Sequence, residues 1–199
     1  PCGTLFPYTT LFRSVGRKNI VFGFLFLVLT AALGPYMIIQ SESVAEAQAA
    51  RNAAMSELRL RVDGGFMNEE TLETMSADEI ARENARVILA LNTGLNARAP
   101  IDAIKSGPHA HGNLESLLNI VAGVVLVFLA VPLWLKQAIS WIFILGTLLH
   151  SGALYLAVFG FGWAGVVLET GAGPVLILLG LLLAGIAALI GFRTEPVHD

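Results

Sequence analysis

The chain has 199 residues, 55% of them hydrophobic and only 14% charged, with a mean hydropathy of +0.71; an average soluble domain is about 45–50% apolar and about 25% charged. A formal net charge of −3 without a basic cluster argues against nucleic acid as a partner. Eleven acidic and seven basic residues fall between Ser41 and Gly112, so one mildly acidic soluble segment is set into an otherwise apolar chain.

At the start, Thr4 to Ser14 resembles the translation of a common short-read sequencing adapter. Residues 1–14 are therefore set aside as an adapter-derived artefact. They contain Cys2, the single cysteine, and the rest of the chain offers no thiol for a disulfide, a thiolate–metal site or a nucleophile.

A membrane crossing needs about 20 apolar residues. The first transmembrane helix is expected over 15–40, built on Ile20–Ile39, with a kink at Gly34-Pro35 and Tyr36 as an interfacial anchor. Its apolar run exceeds a signal-peptide core, so an uncleaved anchor is expected although Ala45-Glu46-Ala47 resembles a cleavage site. Residues 41–112 form a helical extracytoplasmic segment. Ser43 with Glu46, and Ser76 with Glu79, have capping-box spacing. They predict helices ending near Arg61 and Leu91, then a turn at Pro100–Lys105 and a break at Ser106-Gly107-Pro108. So thin a segment is expected to cap the bundle or meet a partner.

Further transmembrane helices are predicted over 113–135, 138–160 and 173–192, with a cytoplasmic tail at 193–199. Lys136 separates the second and third, and two glycine-rich stretches, Gly160–Trp163 and Glu169–Pro174, separate the third and fourth. Gly180, Ala184 and Ala188 have helix-packing spacing, and Trp134, Trp141 and Trp163 read as belt residues. Arg17, Lys18, Lys136 and Arg193 alternate onto one side, which places both termini in the cytoplasm of a bacterial inner membrane. The expected fold is an all-α integral membrane protein, a four-helix transmembrane bundle with a helical extracytoplasmic insertion. Its partners are the lipid bilayer and either its own copies or a membrane complex.

The segment His109-Ala110-His111-Gly112-Asn113-Leu114-Glu115 opens the second apolar helix. His111, Glu115 and Asn119 recur every four residues, forming one polar stripe that runs inward. Thr147, His150 and Ser151 form a polar patch on the third helix. Ionisable groups at such depth need a partner or a task. On one reading His111 and His150, or His109 and His111, hold a haem or a metal, with Glu115 and Asn119 orienting a ligand or handling a proton. On the other, His111 and Asn113 only start the helix at the wet interface, Asn113 as its cap, and His150 bonds Glu115 or Asn119 for packing.

The His109–Leu114 string resembles the H-x-H-x-N-L stretches that open histidine-bearing helices in haem–copper oxidase-like membrane proteins. The span pattern is similar to that of styrene oxide isomerases, small four-span proteins that bind haem b. That resemblance implies haem b as cofactor and His111 as the iron ligand. The outer segment is much longer here, and Asn119 lies eight residues after His111, where the isomerase pattern has a shorter gap. Three functions follow as expectations: haem or metal binding for redox, sensing or Lewis-acid chemistry, a non-enzymatic assembly subunit docking a partner through 41–112, and a small proton-coupled transporter. Whether the protein is an enzyme stays open, and the sequence carries no phosphate loop, serine–histidine–acid set or dinucleotide fingerprint.

Overall fold

A computed structural model describes residues 15–68 and 71–197; the adapter-like stretch with Cys2, and His198, lie outside the described residues. The protein is all-helical, and among the described residues only the isolated bridges Met67–Thr74 and Leu129–Phe192 have β character. Four helical stretches are long and apolar enough to cross a membrane: Gly16–Ile39, Ala77–Val127, Leu133–Val158 and Ala172–Gly191. The chain divides into two compact units, Pro35–Asp102 and the remainder on either side of it.

In the larger unit the first apolar stretch is α1 (Gly16–Ala31), followed after Ala32 by α2 (Leu33–Ile39), which begins in this unit. The expected kink therefore lies one turn before Pro35. Proline has no N–H for the carbonyl four residues back and its ring clashes with that carbonyl, here the one on Ala31. Helix α5 (Ala110–Val127) begins earlier and ends sooner than the predicted 113–135. Pro132 bars continuation: it sits extended at φ −55°, ψ 140° as the residue before α6 (Leu133–Thr147), it offers no N–H to the carbonyl four residues back, that of Phe128, and it forces its predecessor out of helix. The third apolar stretch thus runs Leu133–Val158 instead of 138–160, and Lys136 lies in its first turn, 1% exposed. It continues through a π-helical turn, Leu148–Gly152, into α7 (Ala153–Val158). Gly160 at φ +88° and Gly171 at φ +65° punctuate the chain where glycine was expected to, but a short helix α8 (Gly162–Glu169) stands between them before α9 (Ala172–Gly191).

Small residues set the packing. Helix α1 lies along α5 so closely that a Cβ on Gly123 would fall 2.6 Å from the Gly16 carbonyl oxygen, and one on Gly112 would fall 2.3 Å from Thr30 Cγ2. Helix α9 packs on α6 through Gly180, which faces the Phe143 ring, and Gly146, which faces Ile177; the small-residue spacing on α9 was read correctly. Leu126, Leu129, Ile139, Phe143 and Ala187 close the core. The chain after α9 is tied down rather than free: Arg193 N–H donates to Phe128 O and Val197 N–H to Val127 O.

Burial in this unit is inverted relative to a protein in water. Asn19, Thr30, Glu115, Ser116, Asn119, Lys136, Ser140, Thr147 and Ser151 are buried, while Val28, Leu178, Leu189 and Ile190 are largely exposed. Trp134, Trp141 and Trp163 are also exposed, as belt residues would be.

The smaller unit is a hairpin of α3 (Ser41–Asp63) and most of α4 (Ala77–Ile104), joined by a turn in which Gly65 and Phe66 take positive φ. The two run antiparallel, with Arg86 paired to Glu57 at 3.1 Å and Gly94 seated on the Arg51 stem. The Ser76–Glu79 capping box forms as predicted, Ser76 N–H donating to Glu79 Oε2 at 2.7 Å and Glu79 N–H to Ser76 Oγ at 3.3 Å. The Ser43–Glu46 box does not: the preceding Gln40 is already helical, leaving no extended cap position, and Ser43 Oγ donates back to Gln40 O. Helix α4 also continues past Leu91 and through Pro100, correcting the expected turn. One lost hydrogen bond does not stop it, and an Arg98–Asp102 pair of 3.1 Å spans the proline.

Candidate metal centre

The second apolar helix starts at a defect. After α4 comes a π-helical turn, Lys105–His109, in which Gly107 leaves helical geometry at φ −95°, ψ −109°, so the break predicted at Ser106-Gly107-Pro108 is present. The backbone is helical again by Ala110, before Asn113, so Asn113 is not a helix cap. Instead its Oδ1 accepts a 2.8 Å hydrogen bond from Thr30 Oγ1 on α1. His109 Nδ1 lies 3.1 Å from Thr30 O; a carbonyl only accepts, so that nitrogen carries the proton.

One turn further on, the stripe meets the third apolar stretch. Glu115, 3% exposed, has His150 Nδ1 at 2.5 Å from Oε1 and accepts from Ser151 Oγ at 2.6 Å on Oε2. Adjacent residues on a regular α-helix point about 100° apart and do not share a partner. His150 and Ser151 do so here because both lie in the π-helical turn Leu148–Gly152, whose extra residue widens the turn; such turns recur at functional sites. Gly173 on α9 lets the backbone at His150 lie close, since a Cβ there would fall 2.6 Å from His150 N. The His111 ring stands 4.8 Å from the His150 ring at an interplanar angle of 61°. His111, Glu115 and His150 each offer one donor atom, and these atoms lie within 4.8 Å of one another.

A tetrahedral cation with bonds of about 2.1 Å holds its donors about 3.4 Å apart. The donor separations bracket that value: His150 and Glu115, at 2.5 Å, would part by about 1 Å, and the widest pair, within 4.8 Å, would close by up to about 1.4 Å. Two imidazoles and a carboxylate suit zinc, iron and similar transition metals better than calcium or magnesium, which take oxygen ligands.

Below the cluster the polar stripe becomes an amide ladder. Asn119 Nδ2 donates to Thr147 Oγ1 at 2.8 Å and to Glu115 O at 3.0 Å, and its Oδ1 accepts from Asn19 Nδ2 at 3.0 Å. Asn19 Nδ2 also donates to Ser140 O at 3.1 Å, while Ser140 Oγ donates to Asn19 Oδ1. At the end of the bundle, Lys18 Nζ donates to Gln137 Oε1 at 2.6 Å and lies over Trp141.

The site residues read from sequence therefore separate into two groups. His111, Glu115 and His150 converge. Asn119 lies one turn away as the hub of the ladder, and His109 is held against Thr30. Sequence reasoning missed Asn19, Thr30 and Ser140. For Asn19 and Thr30 the signal was present on α1: Gly16, Asn19, Gly23, Phe26 and Thr30, all buried, recur at three- and four-residue spacing, one face of a helix. Comparison of the chain with protein-family models, curated proteins and solved structures finds no match.

Proposed function

We propose that the protein is a polytopic membrane protein that binds one transition-metal cation, of the zinc or iron class, through His111, Glu115 and His150. The observation that carries this reading is the convergence of two imidazoles and a buried carboxylate, in a unit whose polar groups face inward and whose leucines face outward. In lipid that inversion is the favourable arrangement, and buried ionisable groups mark sites by default. The helical segment 41–112 is placed outside the cytoplasm and both termini inside it, following the basic residues near the helix ends.

Haem b is the less favoured occupant. Two axial imidazoles sandwiching a porphyrin have ring centres roughly 6 Å apart, given metal–nitrogen bonds of about 2 Å. The 4.8 Å edge-to-face contact of His111 and His150 leaves no room for the macrocycle between them. A haem on one histidine alone would leave the Glu115 pair unexplained.

Equilibrium dialysis of the detergent-purified protein against zinc tests the reading. One equivalent should bind per chain, and Glu115→Ala should abolish it while keeping the helical content. Binding of no zinc, or equal binding by the variant, would contradict it. A second reading, partner docking by the outer hairpin, is favoured by Leu60, Val62, Ile88, Leu89 and Leu95, all exposed on it. Deleting 41–102 would then alter assembly size while leaving metal stoichiometry unchanged.

A further inference from the structure

The donor count and the grip on Glu115 together indicate how such a cation would be used. Among the described residues three side chains offer donor atoms to the cluster. His109 does not join that group, and Asn119 is bonded to Asn19, Thr147 and the Glu115 backbone. A carboxylate can supply a fourth bond by binding through both oxygens, as it does on calcium. Here Ser151, fully buried, donates to Oε2 at 2.6 Å while Oε1 faces His150. The two oxygens are thus held to different tasks, Oε1 at His150 and Oε2 at Ser151. The His111 end of the cluster is exposed and the Glu115 end buried, so the cluster is open on one side.

Resting on the metal reading above, we infer that a cation in this site keeps a fourth position for an exchangeable small ligand, water or a small anion, because Ser151 holds Glu115 to a single metal-facing oxygen. Three protein ligands with one open position distinguish catalytic from structural zinc sites. A metal so placed polarises a carbonyl or acidifies bound water. Ser151 is the positioning residue: it touches Glu115 and acts through it.

Cobalt(II) and azide serve as probes on the detergent-purified full chain. Wild-type protein loaded with cobalt should give visible bands that azide shifts saturably. Ser151→Ala should still take up cobalt, but its azide affinity should fall at least tenfold as the freed carboxylate closes the position. Ser151→Thr, which keeps the hydroxyl, should restore the wild-type response. A wild-type cobalt spectrum unmoved by azide would overturn the inference and leave the metal reading standing, and this arm decides the matter even if Ser151→Ala fails to fold. Ser151→Ala responding with wild-type affinity would also overturn it. Failure of the wild-type protein to bind cobalt would remove the metal reading and this inference together.

Discussion

Adding one methyl group at Gly123 tests the packing on which the site depends. The new Cβ would fall 2.6 Å from the Gly16 carbonyl oxygen and 2.7 Å from Ile20 Cγ1, where ordinary contact begins at 3.4 Å. The first clash is with backbone, so no side chain can turn away to relieve it. Helices α1 and α5 must part by about 0.8 Å, and a gap of about 0.5–1 Å forfeits a quarter to a half of each dispersion contact along the seam. Overpacking costs about 1–3 kcal/mol, and a clash that moves backbone belongs in the upper part of that range, about 2–3 kcal/mol, of which alanine recovers about 1 kcal/mol in helix propensity. The net loss of about 1–2 kcal/mol should lower the melting temperature in detergent by roughly 2–8 °C. Gly185→Ala is the matched control. It lies on α9 with nothing within 4 Å of its Cβ position, so the change should cost nothing and gain up to about 1 kcal/mol in helix propensity. Circular dichroism melts of both variants decide the matter. Gly123→Ala melting with the wild type, or Gly185→Ala falling equally far, would refute the reasoning.

Three further outcomes are expected. Asn119→Leu strips partners from Asn19 and Thr147 and should cost about 1–3 kcal/mol, measured by unfolding in detergent; the Asn19→Leu/Asn119→Leu pair should cost less than the sum of the single changes. Ser76→Ala removes the formed capping box and should destabilise the start of α4 by about 0.5–2 kcal/mol, seen as faster amide exchange near Ala77–Ile80 with α6 unchanged. In a background lacking Cys2, Glu73→Cys should react with a membrane-impermeant maleimide on intact cells and Glu195→Cys only after lysis; the reverse pattern would invert the proposed orientation.

What was legible in the sequence follows from what repeats or punctuates. Apolar run length identified four stretches able to cross a membrane, and the four-residue recurrence of His111, Glu115 and Asn119 put a polar stripe on one helix face. Glycines at 160 and 171 marked chain turns because φ is positive at both. Boundaries failed where a neighbouring element decides them. Leu133–Leu135 looked like the end of one span, and Pro132 makes them the start of the next. Lys136 read as a boundary residue and is buried. A His150–Glu115 bond was one expected alternative, but Ser151 joining it on the same carboxylate was not legible, because a π-helical turn has no simple periodic signature and only the fold brings its extra residue to bear. Asn19 drew no expectation from the sequence, although its spacing to Gly23, Phe26 and Thr30 sets all four on one helix face.

The most direct test of the central claim is X-ray absorption on the zinc-loaded protein. The account predicts a first shell of nitrogen and oxygen near about 2.0–2.1 Å, with outer-shell scattering from two imidazoles that drops to one in His111→Ala. A shell of oxygens alone, or imidazole scattering unchanged by that substitution, would contradict it.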